Sequence, residues 1–173
     1  MSIVYDTFVA SCNKLVEKSA ESREDAWELR DGGSDCCYNC KKYLARTHVL
    51  RKLQSDEDTP TFCYFDYFIV YSSTYTVPVL YFNVYNLDGS LLTPEEFRKS
   101  LPQHLSNEKQ KWNFITQDEH PITGVPCNYI HPCQTQQVME QLLQGAATSD
   151  YLLTWLSMYG AFVGITVKPQ WLL

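Results

Sequence analysis

Two runs separated by a single residue, 61–75 (TFCYFDYFIVYSSTY) and 77–85 (VPVLYFNVY), constrain this chain more than anything else in it. Both are nearly unbroken tracts of aromatic and β-branched side chains, the residue types that suit a pleated surface. Strands that are apolar on both faces lie in the middle of a sheet and are covered on both sides, often by a helix on one of them. The chain is therefore expected to be organised around a sheet with these two strands at its centre. Aromatic residues make up 14% of the sequence, enough to furnish a large sheet-centred core.

The periodicities on either side place the flanking elements. Val4, Phe8, Val9, Cys12, Leu15 and Val16 recur at helical spacing and predict an amphipathic helix over about residues 3–19. Residues 25–30 (DAWELR) alternate as a short strand does, and Asp31-Gly32-Gly33-Ser34 closes it with a turn signal. Residues 42–53 mix Tyr43, Leu44, His48, Val49 and Leu50 with basic side chains, which reads as a half-exposed strand whose edge a partner could use. A polar, acidic loop at 54–60 follows it.

Asn86-Leu87-Asp88-Gly89 supplies a turn after the second apolar run. Thr93-Pro94-Glu95-Glu96 combines an N-cap, a first-turn proline and acidic residues, and starts a short helix to about residue 101. Residues 107–124 read as polar and irregular, and 127–130 as a short extended segment. Thr135 is placed to cap a helix over about 136–143 that Gly145 ends. Ser149-Asp150 caps another, with Tyr151, Leu152, Trp155, Leu156 and Tyr159 as its buried stripe. No internal repeat or Gly/Ser linker divides residues 1–173. The expectation is one α+β domain: an N-terminal helix, a four-stranded antiparallel sheet, then helices.

A net charge of −6 disfavours a broad basic face for nucleic acid. The longest strongly apolar stretch, residues 159–165, is far too short to span a bilayer. The opening stretch MSIVYDTFVASCNK carries Asp6 and lacks a basic n-region, so it does not read as a secretory leader. With seven cysteines, the expectation is a set of reduced thiols in a cytoplasmic protein without stable membrane insertion.

Cys36-Cys37-Tyr38-Asn39-Cys40 contains one C-x-x-C pair, but a structural zinc site wants a second, and His48 and Cys63 complete no compact pattern. Cys12 and Cys63 fall on apolar faces and read as core. Cys133 stands apart: it lies outside any apolar period, directly after Pro132 and before a helix N-terminus, with His131 two residues away. A helix N-terminus favours thiolate, so a nucleophile fits this setting, and so does an inert cysteine. His131 could tune the thiol or donate to an oxyanion, or it could hydrogen-bond a turn; His120, in Glu119-His120-Pro121, reads as a loop residue. There is no glycine-rich phosphate loop, no serine elbow and no helical histidine pair, which argues against a self-contained ATP-dependent ligase.

His131-Pro132-Cys133-Gln134-Thr135 resembles the active-site motif of the autophagy-related ubiquitin-like conjugating enzymes. Supporting stretches, in order, are Val77-Pro78-Val79-Leu80-Tyr81-Phe82, Leu87-Asp88-Gly89, Gln117-Asp118-Glu119-His120-Pro121 and Thr154-Trp155-Leu156-Ser157, covering about residues 60–165. The resemblance implies a ubiquitin-conjugating-like fold whose element order agrees with that read from periodicity. It implies Cys133 as the thioester nucleophile with His131 in support, and neither cofactor nor metal. It implies that Cys133 accepts the C-terminal glycine of autophagy-related protein 12 from the activating enzyme, autophagy-related protein 7, and passes it to a lysine of autophagy-related protein 5.

Ordinary ubiquitin-conjugating enzymes carry an Asn after a His-Pro pair, several residues before the cysteine; here Cys133 follows the pair directly and that Asn is absent. His131, the Gln134 or Thr135 side chain, a backbone N–H, and more weakly Tyr81, are the candidates for stabilising an oxyanion. Three alternatives stay open. The sister enzyme that conjugates to phosphatidylethanolamine resembles the same motif but is longer, with an acidic insertion. A non-catalytic module of this fold lacks the cysteine. A cysteine hydrolase needs a distant His and Asn or Asp, for which no local signature exists.

Overall fold

The computed structural model describes residues 1–21, 24–34, 39–53, 61–99, 115–143 and 150–172. Helix α1 (Tyr5–Ser19) is followed by β1 (Glu28–Asp31), β2 (Lys42–Lys52), β3 (Phe62–Ser72) and β4 (Val77–Tyr85). Then come α2 (Pro94–Lys99), β5 (Ile115–Glu119), β6 (Pro126–Ile130), a 3-10 turn (Pro132–Gln134), α3 (Thr135–Leu142) and α4 (Tyr151–Tyr159). Two further 3-10 turns, Gly160–Val163 and Pro169–Leu172, complete the described elements. No described helix is long and apolar enough to cross a membrane.

The sheet runs β1-β2-β3-β4-β6-β5, and every neighbouring pair is antiparallel. Among the described residues it has six strands rather than the expected four. β5 was hidden inside the stretch that reads as irregular, because only Ile115 of its five residues is buried and the rest face water. What makes it a strand is its partner: Ile115 to Glu119 pair with Ile130 to Pro126. The expected strand at 25–30 begins only at Glu28. Asp25 instead binds Arg46 at 2.6 Å and Lys168 at the far end of the chain, with Arg51 at 3.9 Å. Burial works against the Asp25 carboxylate, but the Lys168 hydrogen bond and the Arg46 charge outweigh it and hold its pKa below the usual range.

The two apolar runs become the middle of the sheet as expected, in register from Tyr64↔Tyr85 to Ser72↔Val77. One face of β3 (Cys63, Phe65, Tyr67, Ile69, Tyr71) packs under the helices, against Phe8, Cys12 and Leu15 of α1 and Leu152, Trp155 and Leu156 of α4. Each large apolar side chain withdrawn from water there contributes about 1.5–3 kcal/mol. The Tyr67 hydroxyl donates to the Val163 carbonyl at 2.8 Å, joining β3 to the turn after α4. The other face (Val70, Val79, Tyr81) meets Tyr43, Ala45 and Cys127, with Phe68, Ile122 and Tyr129 packed alongside. β4 is therefore buried on both sides from Val77 to Val84.

The edge reading of β2 needs correction. β1 covers Lys42 to Ala45, so among the described residues only the half from Arg46 to Lys52 lacks a strand on that side. That half opens with a β-bulge between Arg46 and Val49. His48 takes φ 60 there, donates its backbone N–H to Asp66 Oδ1 at 2.7 Å, and stacks its ring on Tyr64 at 4.2 Å. A bulge of this kind bends the strand and interrupts regular pairing.

Candidate active site

β6 delivers the site. It pairs with β4 through Tyr81↔Tyr129 and Phe82↔Asn128, and the chain leaves it at Ile130 to enter His131. Pro132 cannot donate a backbone hydrogen bond and disfavours helix in the residue before it, so His131 stays extended (φ −63, ψ 127) and the 3-10 turn starts at Pro132. His131 caps that turn: its Nδ1 accepts the backbone N–H of Cys133 at 3.2 Å. The ring nitrogen making this bond carries no proton, so the neutral imidazole holds its proton on Nε2. The Cys133 side chain is exposed on the same turn.

Tyrosines surround His131. Tyr75, in the β3–β4 turn, meets its ring edge-to-face at 5.7 Å, and Tyr129 lies at 6.0 Å. Tyr129 stacks on Tyr81 at 5.3 Å. A cavity of about 160 Å³ opens beside the histidine, with Tyr75, Tyr81, Asp118, Tyr129, His131 and Pro132 in its walls. From α3, Gln136 Nε2 donates to the Tyr75 carbonyl at 2.8 Å and to Thr76 Oγ1 at 3.1 Å.

Residues 7–170 match the family model described as the autophagocytosis associated protein, active-site domain. The chain belongs to this family. Ubiquitin-like-conjugating enzyme ATG10 of Arabidopsis thaliana is 36% identical over 118 residues, which is 63% of this chain and 52% of the plant protein. The human protein of the same name is 35% identical over 109 residues, 60% of this chain and 50% of that one. Autophagy-related protein 3 of Candida glabrata is 37% identical over 81 residues, 46% of this chain and 25% of the yeast protein. The chain thus spans about half the length of the ATG10 relatives it matches.

Within this family member, the residues singled out from sequence meet different fates. Cys133 and His131 come together through the turn. Gln134 is exposed beside them. Thr135 does not cap a helix; it is 2% exposed and hydrogen-bonded to Tyr159. Burial raises the Tyr159 pKa, the Thr135 hydrogen bond opposes this, and the Cys133 charge adds to the rise. Of the backbone N–H groups that could serve an oxyanion here, that of Cys133 is taken by His131. Tyr81 is in the cavity wall. Asp150 occupies the N-cap position of α4, while Ser149 and Gly145 lie outside the described residues.

The other described cysteines are buried: Cys12, Cys40, Cys63 and Cys127. Burial pushes the Cys12, Cys40 and Cys63 thiols up. Cys127 rises to about 11, from burial and the Asp66 charge against an opposing Asn83 hydrogen bond. Cys36 and Cys37 lie outside the described residues, and with them the C-x-x-C question. Among the described residues no three His, Cys, Asp or Glu side chains come together as metal ligands.

His120 is not the exposed loop residue its neighbours suggest. It is 1% exposed, with its ring 5.0 Å from Tyr43, 5.1 Å from Phe68 and 5.5 Å from Tyr81. Its Nδ1 accepts the backbone N–H groups of Ile122 and Thr123, while Nε2 has no hydrogen-bond partner among the described residues. Burial lowers its pKa to about 4, so it stays neutral and closes the β5–β6 connection over the sheet. Tyr75, Tyr129 and Gln136 carried no signal of their own, and Tyr159 was marked only as part of a buried helical stripe. Only Tyr129, two residues before His131 on an extended segment, could have been placed on the same face.

Proposed function

We propose that this protein is a ubiquitin-like protein conjugating enzyme of autophagy, with Cys133 as its thioester nucleophile. The observation that carries the reading is exposure: Cys133 is open on the turn after β6, whereas the other four described cysteines are buried. The family match and the names of the ATG10 relatives support it.

In the first step the Cys133 thiolate attacks the C-terminal glycine carbonyl of autophagy-related protein 12, held as a thioester on a cysteine of autophagy-related protein 7. A new C–S bond forms, the old one breaks, and the released thiolate takes a proton from water. Thioester exchange is nearly isoenergetic, so it asks for a reactive thiolate and alignment rather than a driving force. In the second step the neutral ε-amine of a lysine of autophagy-related protein 5 attacks the same carbonyl. A C–N bond forms, the C–S bond breaks, the amine's proton passes to water, and Cys133 is regenerated. His131 holds the cysteine's turn through Nδ1, which leaves Nε2–H as the donor it can offer a developing oxyanion. The setting proposed for this chemistry is the reducing cytoplasm.

The test is incubation with the activating enzyme, ATP and candidate ubiquitin-like proteins, read on a non-reducing gel, with protein and phosphatidylethanolamine-vesicle acceptors in separate arms. A thiol-labile adduct is expected, moving on to the protein acceptor. Cys133→Ser should give a thiol-resistant ester or no adduct. A reducible adduct on Cys133→Ala overturns the assignment, and transfer to the vesicles alone makes the protein a lipid-conjugating enzyme instead.

A further inference from the structure

We infer that Gln136 is a positioning residue for the transfer step, holding the β3–β4 turn so that Tyr75 walls a groove for the acceptor's lysine side chain. The inference rests on the conjugating reading above and adds to it the means by which the incoming amine is received.

The groove's chemistry comes first. Four tyrosines (Tyr71, Tyr75, Tyr81 and Tyr129) line it together with aliphatic side chains such as Val70 and Val79, and Asp118 is the one acidic side chain among the described lining residues. An aliphatic chain with a cationic end suits such a lining: methylenes lie along aromatic faces, and the charge is attracted both by the rings and by the carboxylate. Lysine has that form. His131 and Pro132, the two residues before Cys133, belong to the same lining.

The wall that Tyr75 contributes is the least secure part. Tyr75 lies in a turn rather than a strand, and the next residue, Thr76, has φ 51, a left-handed conformation unfavourable for a β-branched residue. Such a conformation persists only where its surroundings enforce it. Ile3 helps from one side, donating its backbone N–H to the Thr76 carbonyl at 2.9 Å. From the other side comes the Gln136 amide, bonded to both turn residues at 2.8 Å and 3.1 Å. Gln136 lies three residues after Cys133, within the first turn of α3. The same short segment therefore carries the nucleophile, on the 3-10 turn, and the amide that holds the groove wall, on the helix that follows it.

Gln136→Glu tests this with almost no change of volume. It removes both N–H donors and sets a carboxylate against the Tyr75 carbonyl. Gln136→Lys restores a donor of similar reach. The thioester is preloaded on Cys133, and single-turnover discharge is followed with the protein acceptor over a concentration series and, separately, with hydroxylamine, which needs no groove. For Gln136→Glu, discharge to the acceptor should fall on the order of tenfold, the effect expected from losing two positioning hydrogen bonds. Hydroxylamine discharge should stay within about twofold. Gln136→Lys should recover most of the acceptor rate, and the His131 ring-proton resonances should move in the Glu variant and return in the Lys variant. Unchanged discharge to the acceptor, or a parallel fall with hydroxylamine, overturns the inference while leaving the conjugating reading in place. Absence of any thioester on the unaltered protein overturns both.

Discussion

Replacing His120 by Asn should remove a pH dependence of stability without removing the local turn. Asn Oδ1 can accept a backbone N–H two residues on, much as His120 Nδ1 does for Ile122, but it does not titrate. In the native protein burial lowers the imidazole from its usual 6.5 to about 4. Between those values the unfolded chain binds a proton that the native state does not, so stability rises with pH across the window. The contribution is complete above about pH 6.5 and is lost as pH falls towards 4. Integrated from pH 7.5 to pH 5, it amounts to about 2 kcal/mol. Truncating the ring among Tyr43, Phe68 and Tyr81 also costs about 1–3 kcal/mol at either pH. The informative quantity is therefore a difference of differences, from urea unfolding of both proteins at pH 7.5 and pH 5.0. Carboxylates elsewhere titrate alike in the two proteins and cancel. The native protein should lose about 2 kcal/mol more than His120→Asn. Equal losses would mean that His120 is not held neutral by burial.

Three other outcomes follow from the same structure. With Cys36 and Cys37 replaced by Ser, a thiol reagent should titrate Cys133 promptly and reach Cys12, Cys40, Cys63 and Cys127 only after denaturant is added; a second prompt equivalent contradicts the burial described. His131→Ala should slow transfer to lysine on the order of tenfold while shifting the thermal midpoint by less than about 4 °C, because it caps a single exposed turn; a large stability loss with normal transfer would make the histidine structural. Asp25→Ala leaves Arg46 buried beside Arg51 without its carboxylate and should cost about 3–5 kcal/mol in denaturant unfolding. Adding Arg46→Met should recover much of that loss, and no recovery would mean that the loss does not come from an unpaired buried Arg46.

The elements that announced themselves in sequence were those whose own side chains decide their environment. β3 and β4 are apolar enough to lie nowhere but the centre, and the stripes of α1 and α4 fall at helical spacing because each meets a single face of the sheet. β5 was invisible for the opposite reason: its four exposed residues carry no period, and β6 alone makes it a strand. His120 was misread because its burial comes from Tyr43, Phe68 and Tyr81, none of them near it in sequence. At the site, His131 and Cys133 were legible as a contiguous motif. The inward turn of Thr135 and the meeting of Tyr75 with Gln136 depend on how α3 and the β3–β4 turn are set against each other, which no local pattern encodes.

The position of β6 in the sheet also dictates an order of assembly. β1 to β4 are joined in chain order, each strand beside the one before it, so that part of the sheet can form as soon as it leaves a ribosome. β4, apolar on both faces, then waits with an open edge for β6, which ends at Ile130, 45 residues after Tyr85. At ordinary synthesis rates that wait lasts roughly 2–9 s. An unpaired apolar strand edge exposed for so long is a target for aggregation and for chaperones. Substitutions that weaken the Tyr81↔Tyr129 and Phe82↔Asn128 pairing would then reduce the yield of soluble protein in cells more than they reduce the stability of the molecules that mature.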